Sequence, residues 1–499
     1  MRAGRGVLIL MAALLPACKV GPNFKPPQEP VPDQYAGVKA LPEPAPQPST
    51  DSAAPSFWWR EFHDPELDDL VDAARRGNLD LKGAYLRIVE ARIQVQAVRA
   101  QGLPSLDASA SYTREQLGLA GILKSQGIDT ASGPTSSPAA QELISSLEKP
   151  FNIYQLGFDA SWEIDLFGKV RRSVEAANAQ SVAAVESRND LLVSLEAEVA
   201  QTYFQLRASQ TLRQIALDEI AAQREIADLT QDRHEHGLAG EPDVDAARAQ
   251  LTSLEAQLPP YEQTIAASRH ALAVLIGQTP ESLDARFRDH GELPPLPANV
   301  PVGVPSVLVR RRPDIRNSEA VLHAATAQIG VSIAGLFPDI SLAGSYGLRN
   351  LDTHYLFDWS SHFYSVAPSV SLPIFQGGAL IASVRLSRAE AAEAALRYRK
   401  TVLGALQEVE DGLSALDEDA QRIAALKQTV GADQRAVEVQ LDAYGHGVIT
   451  YIAVLTLQLQ TIQARQQLAE AMLTQSTDLV KLYKARGGGW EQTATSRTG

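Results

Sequence analysis

Few side chains in this 499-residue chain stand where they could do chemistry, and Cys18 has the clearest setting. It is the sole cysteine, so no internal disulfide is possible. Residues 1–17 read as an export signal, with Arg2 and Arg5 ahead of the apolar run Val7–Leu15 and with Ala17 at the end. A thiol directly after Leu15-Pro16-Ala17 resembles a lipoprotein processing site, where the sulfur takes a diacylglycerol and the new N-terminus an acyl chain. The alternative is an ordinary cleavage site with an incidental cysteine. Lys19 rather than an aspartate in the next position is the pattern of an outer membrane destination.

The other candidates have simpler readings. His234-Glu235-His236 offers two imidazoles and a carboxylate, but residues two apart on a helix point about 200° from one another and do not readily chelate one ion. Arg310-Arg311-Arg312-Pro313-Asp314 carries charge enough for a phosphate, yet proline and aspartate there mark the entry to a helix. Asp243 is either a charge near a gate or the acidic partner of a helix dipole. There is no Gly-x-Ser-x-Gly, P-loop or His-Glu-x-x-His pattern, and paired carboxylates occur only in surface-type helix patterns. The chain reads as a non-enzyme with no cofactor and no metal. A net charge of −14 argues against nucleic acid as a partner, because that binding rests on clustered Lys and Arg.

The elements around these residues are unusual. From Tyr154 to Asp165 apolar and polar residues alternate strictly: Tyr154, Leu156, Phe158, Ala160, Trp162 and Ile164 share one face. Period two over that length is a strand with one greasy and one wet side. The 68 residues that follow Gly168 contain no glycine or proline, which predicts a helix of about 100 Å. A strand of bilayer length joined to such a helix suggests a tube standing out of a membrane. No stretch beyond the N-terminus has the roughly 20 apolar residues that a spanning helix needs.

The programme runs twice. Gly102-Leu103-Pro104-Ser105-Leu106 before Ser111-Tyr112 matches Gly335-Leu336-Phe337-Pro338-Asp339-Ile340 before Ser345-Tyr346, and His236-Gly237-Leu238 matches His446-Gly447-Val448. Each half predicts helix, strand, loop, strand, long helix, tight turn, helix. Helices are expected near 64–101, 167–236, 242–277, 313–336, 377–444 and 450–486, and strands near 105–114, 153–165, 339–348 and 362–373. The expected organisation is a signal at 1–17, a lipidated tether at 18–57, a first repeat at 58–277, a proline-rich linker at 278–305, a second repeat at 306–486 and a flexible tail at 487–499. Four strands cannot close a barrel, and an open edge in lipid leaves backbone groups unpaired at several kcal/mol each. Three copies would supply twelve strands, a plausible closed barrel. The fold class is therefore α+β with internal duplication. It predicts a twelve-stranded β-barrel shared by three copies, four strands per chain, with the long helices of the three copies brought together as a second, helical tube.

Specific motifs carry a family resemblance. They are Cys18-Lys19-Val20-Gly21-Pro22-Asn23-Phe24 with Pro26, and Trp58-Trp59 with Phe62, Asp64-Pro65 and Leu67. Trp162-Glu163-Ile164-Asp165-Leu166-Phe167-Gly168-Lys169-Val170-Arg171 and Arg311-Arg312-Pro313-Asp314-Ile315-Arg316 complete the set. With the duplication, they resemble the TolC-like outer membrane factor family, in its lipoprotein (NodT-type) branch serving multidrug efflux, over nearly the whole chain. The resemblance implies a homotrimeric twelve-stranded outer membrane β-barrel continued by a long periplasmic α-helical barrel, with a mixed equatorial belt built from 278–305 and the C-terminal segment. It also implies a periplasmic adaptor, an inner membrane transporter, usually of the resistance-nodulation-division type, and outer membrane lipid as partners. Its implied function is a passive exit duct for drugs or other toxic small molecules. The same fold also serves type I protein secretion, and a periplasmic coiled-coil scaffold is the rival without a barrel. In the family the helical turns at the periplasmic tip meet the adaptor, which here points to Gly237, Leu238, Gly447 and Val448. The gate maps to Asp243, Ile449, Thr450 and Tyr451; Ile449 stands where relatives often carry an acid, so an apolar constriction that closes by dewetting is expected.

Overall fold

The computed structural model describes residues 19–38, 46–49, 57–116, 125, 149–288 and 291–490. Cys18, the export signal and nearly all of the loop between the first two expected strands lie outside the described residues. The chain divides into two compact units: residues 1–24, 92–178 and 323–392, and residues 25–91, 179–322 and 393–499.

The first unit is built on a four-stranded antiparallel sheet in the order β2-β3-β5-β6, with β2 Ser105–Glu115, β3 Phe151–Glu163, β5 Asp339–Asn350 and β6 His362–Ser371. Two further short strands, β1 Gln47–Ser49 and β4 Asn299–Pro301, belong to the second unit. Hairpins β2–β3 and β5–β6 come one from each repeat, and the central pair β3–β5 joins the repeats, with Phe158 opposite Tyr346 and Trp162 opposite Leu342. Alternation separates the faces. Leu106, Tyr112, Leu156, Phe158, Tyr346, Tyr364, Val366 and Val370 lie on the apolar side, which is largely exposed among the described residues: Tyr364 is 81% exposed and Val370 70%. The other face is hydroxyl-rich, and Ser341–Ser369 and Ser345–Ser365 pair across strands at 2.7 Å. Strands of 10 to 13 residues have the reach of bilayer-spanning strands.

Nine helices are described: α1 Pro65–Gly77, α2 Leu79–Ala100, α3 Lys169–Glu235, α4 Glu241–Glu255, α5 Leu258–Leu275, α6 Pro305–Arg311, α7 Pro313–Ala334, α8 Ala379–Gly445 and α9 Tyr451–Ala485. Both α3 and α8 have 67 residues, which confirms the uninterrupted helices expected in each half. No described helix is long and apolar enough to cross a membrane.

Two expected helices are broken. The 64–101 segment is cut at Asn78, whose Oδ1 accepts the N–H of Leu81 at 2.9 Å and whose Nδ2 donates to Leu275 O at 3.0 Å. An asparagine satisfying orphan donors starts a new helix. The 242–277 segment is cut at Ala256-Gln257, and Pro259 and Pro260, which lack backbone N–H groups, open α5.

The second unit's core explains the Trp58-Trp59 motif. Trp58, Trp59 and Phe62 are buried, and Trp58 stacks on Tyr483 with ring centroids 5.2 Å apart. Asp64 caps α1 by accepting from Glu66 N at 2.8 Å, and its other oxygen accepts the hydroxyl of Tyr203 at 2.6 Å. The described parts of the expected extended tether and flexible tail find partners in the fold. Tyr35 is buried, and Ala36 N and Gly37 N donate to the two oxygens of Glu410 at 2.8 and 2.9 Å. The strand β1 pairs in parallel with β4 of the proline-rich linker. Residues 487–489 are buried and the guanidinium of Arg316 lies 4.9 Å over the Trp490 ring, so the described start of the tail is packed rather than flexible.

Candidate functional site

The two tight turns expected at the helical tip are built alike. After α3, Gly237 adopts φ +73°, its N–H reaches His234 O at 2.8 Å, and Leu238 N reaches Arg233 O at 2.7 Å. After α8, Gly447 adopts φ +75°, its N–H reaches Tyr444 O at 2.9 Å, and Val448 N reaches Ala443 O at 2.9 Å. Both are Schellman endings, in which a left-handed residue lets the chain recover its last orphan carbonyls. The preceding histidines repeat the parallel: Nδ1 of His236 lies 2.7 Å from Asp232 O, and Nδ1 of His446 lies 2.9 Å from Asp442 O. His234 Nδ1 is likewise 3.0 Å from Ala239 O. Each imidazole is thus bonded within its own turn, as solvated helix-end residues are. Leu238 and Val448 project at the two turns, 69% and 75% exposed.

Behind the turns is a small core of Ile226, Ala227, Ala247, Tyr444, Tyr451 and Val454, with Ile449 and Leu455 packed against it. Three side-chain contacts tie the α3–α4 hairpin to the α8–α9 hairpin. Arg233 Nη1 donates to Tyr444 O at 2.8 Å while its guanidinium lies 4.6 Å over the Tyr444 ring. Thr230 Oγ1 is 3.3 Å from the Tyr444 hydroxyl. Gln223 Nε2, itself buried, donates to the Tyr451 hydroxyl at 2.8 Å and to Ala247 O at 3.2 Å. Burial pushes the Tyr451 phenol above its ordinary range.

The residues expected at the gate therefore have distinct positions. Tyr451 is a buried core residue that fastens the two hairpins, and Ile449 is half-buried beside it. Thr450 is exposed and precedes α9 in an extended conformation. Asp243 accepts the N–H of Gly240 at 3.3 Å in the first turn of α4, which is the helix-capping arrangement. Sequence reasoning missed Gln223, Thr230, Arg233 and Tyr444, because ordinary helix positions become partners only across more than 200 residues of chain. The Arg310–Asp314 run resolves as structure: Arg312 forks onto both oxygens of Asp314 at 2.9 and 2.7 Å and also reaches Glu408 and Ala485 O.

With this geometry in view, the known relatives are informative. The family model described as "Outer membrane efflux protein" matches residues 70–278 and 304–488. The toluene efflux pump outer membrane protein TtgC of Pseudomonas putida is 32% identical over 490 residues, 97% of this chain and 96% of that protein. Nodulation protein T of Rhizobium leguminosarum bv. viciae is 30% identical over 98% of this chain and 94% of its own length. The solved outer membrane channel OprN superposes with a TM-score of 0.82 at 30% identity, covering 95% of this chain and 100% of that one. This chain belongs to the outer membrane efflux protein family.

Proposed function

We propose that the chain is one of three identical parts of a passive outer membrane exit duct, through which an efflux pump releases toxic small molecules. The carrying observation is the sheet: four strands of bilayer reach and, among the described residues, an exposed apolar face and two unpaired edges at β2 and β6. Such edges are costly in lipid, and joining β2 of one copy to β6 of the next closes a twelve-stranded barrel. The long α3 and α8 continue such a barrel as a helical tube. Residues 1–17 direct export, and lipid on Cys18 adds an anchor in the outer membrane. A periplasmic adaptor meets the tip at Gly237, Leu238, Gly447 and Val448, and an inner membrane transporter of the resistance-nodulation-division type drives transport. The duct performs no reaction and uses no cofactor.

The gate is the tip. The bonds from Arg233, Thr230 and Gln223 hold the two hairpins together, and opening requires these contacts to be exchanged for contacts with the adaptor. Ile449 and Thr450 then lie at the constriction, with Asp243 as the nearby charge. Gel migration of the purified protein tests the assembly. A band at trimer mass without heating that falls to monomer mass after boiling is expected, whereas monomer under both conditions contradicts it.

A further inference from the structure

The first residues after Cys18 occupy a built site at the root of the membrane sheet. Arg172 lies in the first turn of α3, where a positive charge opposes the helix dipole, and yet its side chain is fully buried. Helix stability does not account for it. Its partners do: Nε donates to Val20 O at 2.9 Å, and Nη2 donates to Gly21 O at 2.9 Å and Asn23 Oδ1 at 3.0 Å. Nη1 donates to Glu175 at 2.9 Å. Glu175 is also paired with Lys19 and lies 3.1 Å from His323 Nε2, and the Phe24 ring stacks on His323 at 4.4 Å. Burial pushes the Glu175 carboxyl up, but hydrogen bonds from Lys19, His323 and Arg172 outweigh it and hold the group down to about 2. Gly21, at φ +89°, lies against α7 so closely that a Cβ would come within 2.5 Å of Gly330 Cα.

The placement has a topological consequence. The β3 strand leads directly into α3, and α7 leads directly into β5, while β3–β5 is the one pairing in this sheet that joins the two repeats. Lys19–Phe24 touches both sides of that junction, through Phe167 O, Arg172 and Glu175 on one and His323 and Gly330 on the other. We propose that Arg172, Glu175, His323 and Gly330 form a receptor for the chain's own Lys19–Phe24 segment, which docks there after export processing and stitches the two repeats together. Cys18 is the adjacent residue, so on the lipoprotein reading, on which this part rests, the same dock fixes the lipid at the root of the barrel. The segment supplies three of the guanidinium's four acceptors, and these charge-assisted bonds hold it in the dock.

The test is the rate at which trypsin cuts after Lys19 in the full-length protein purified from outer membranes, read by mass spectrometry. Gly21→Val changes only the segment and clashes with α7, so it is expected to speed cleavage about tenfold by raising the undocked population. Asn23→Ala, which removes one acceptor and no backbone fit, is expected to speed it several-fold and serves if Gly21→Val does not assemble. Rates equal to wild type in both variants would overturn the receptor. Palmitate labelling of the wild type separates the two parts: faster cleavage in the variants without label keeps the receptor and removes its role in placing lipid. Label with unchanged cleavage keeps the lipoprotein and removes the receptor.

Discussion

Arg233→Ala is expected to loosen the closed tip, and the structure sets the scale. The lost contacts are a charged donor on Tyr444 O at 2.8 Å and a guanidinium 4.6 Å over the Tyr444 ring. Hydrogen bonds involving charged groups are worth about 1.5–3 kcal/mol, and an exposed cation–π contact adds about 0.5–1 kcal/mol. Arg233 is only half-buried, so the lower ends apply and the sum is about 2 kcal/mol. At about 1.4 kcal/mol per decade, the ratio of open to closed tips rises roughly 30-fold. Planar-bilayer recording reads this as a large rise in open probability without change in the conductance of the fully open state. Arg233→Lys keeps the charge but not the planar stacking, and an intermediate value is expected. An open probability for Arg233→Ala within threefold of wild type would refute the tip latch.

Other perturbations address separate parts of the account. Ile449→Asp puts a carboxylate at the expected constriction and beside the Tyr444–Tyr451 core, so resting conductance should rise; unchanged conductance removes Ile449 from the gate. Asp64→Ala removes a helix cap and the acceptor of the Tyr203 hydroxyl, which should cost about 2 kcal/mol and lower the temperature at which the assembly dissociates. Glu175 is held at about 2 against an ordinary 4.5, so the unfolded chain binds the extra proton between these values. Its stabilisation is complete above about pH 5 and declines as pH falls toward 2, and Glu175→Gln should flatten thermal stability measured across that window. Cys18→Ser should abolish palmitate labelling; label that persists would mean the lipid is elsewhere.

What the sequence revealed depended on whether the physical signal was local. The run after Gly168, the alternation from Tyr154, and the His-Gly pairs at the turns are local patterns, and α3, β3 and the two Schellman endings follow them closely. The cuts at Asn78 and at Pro259-Pro260 were also written locally, as a capping residue and a proline helix start. Apolar spacing that continues across each cut concealed them. The N-terminal segment misled for the opposite reason. Its Pro- and Ser-rich composition reads as an extended tether, and its partners are supplied by residues far away: Arg172 for Val20 and Gly21, Glu410 for Ala36 and Gly37. At the tip, Gln223 lies 228 positions from the Tyr451 it holds, and no spacing in either helix marks the pair.

The central claim is export, and intracellular accumulation tests it most directly. A panel of dyes and antibiotics would be followed in cells lacking this protein, with and without a plasmid copy. Higher accumulation of some compounds, reversed by the plasmid copy, is the result the account predicts. Accumulation that is unchanged for every compound in the panel would contradict a small-molecule exit duct and turn attention to secreted proteins.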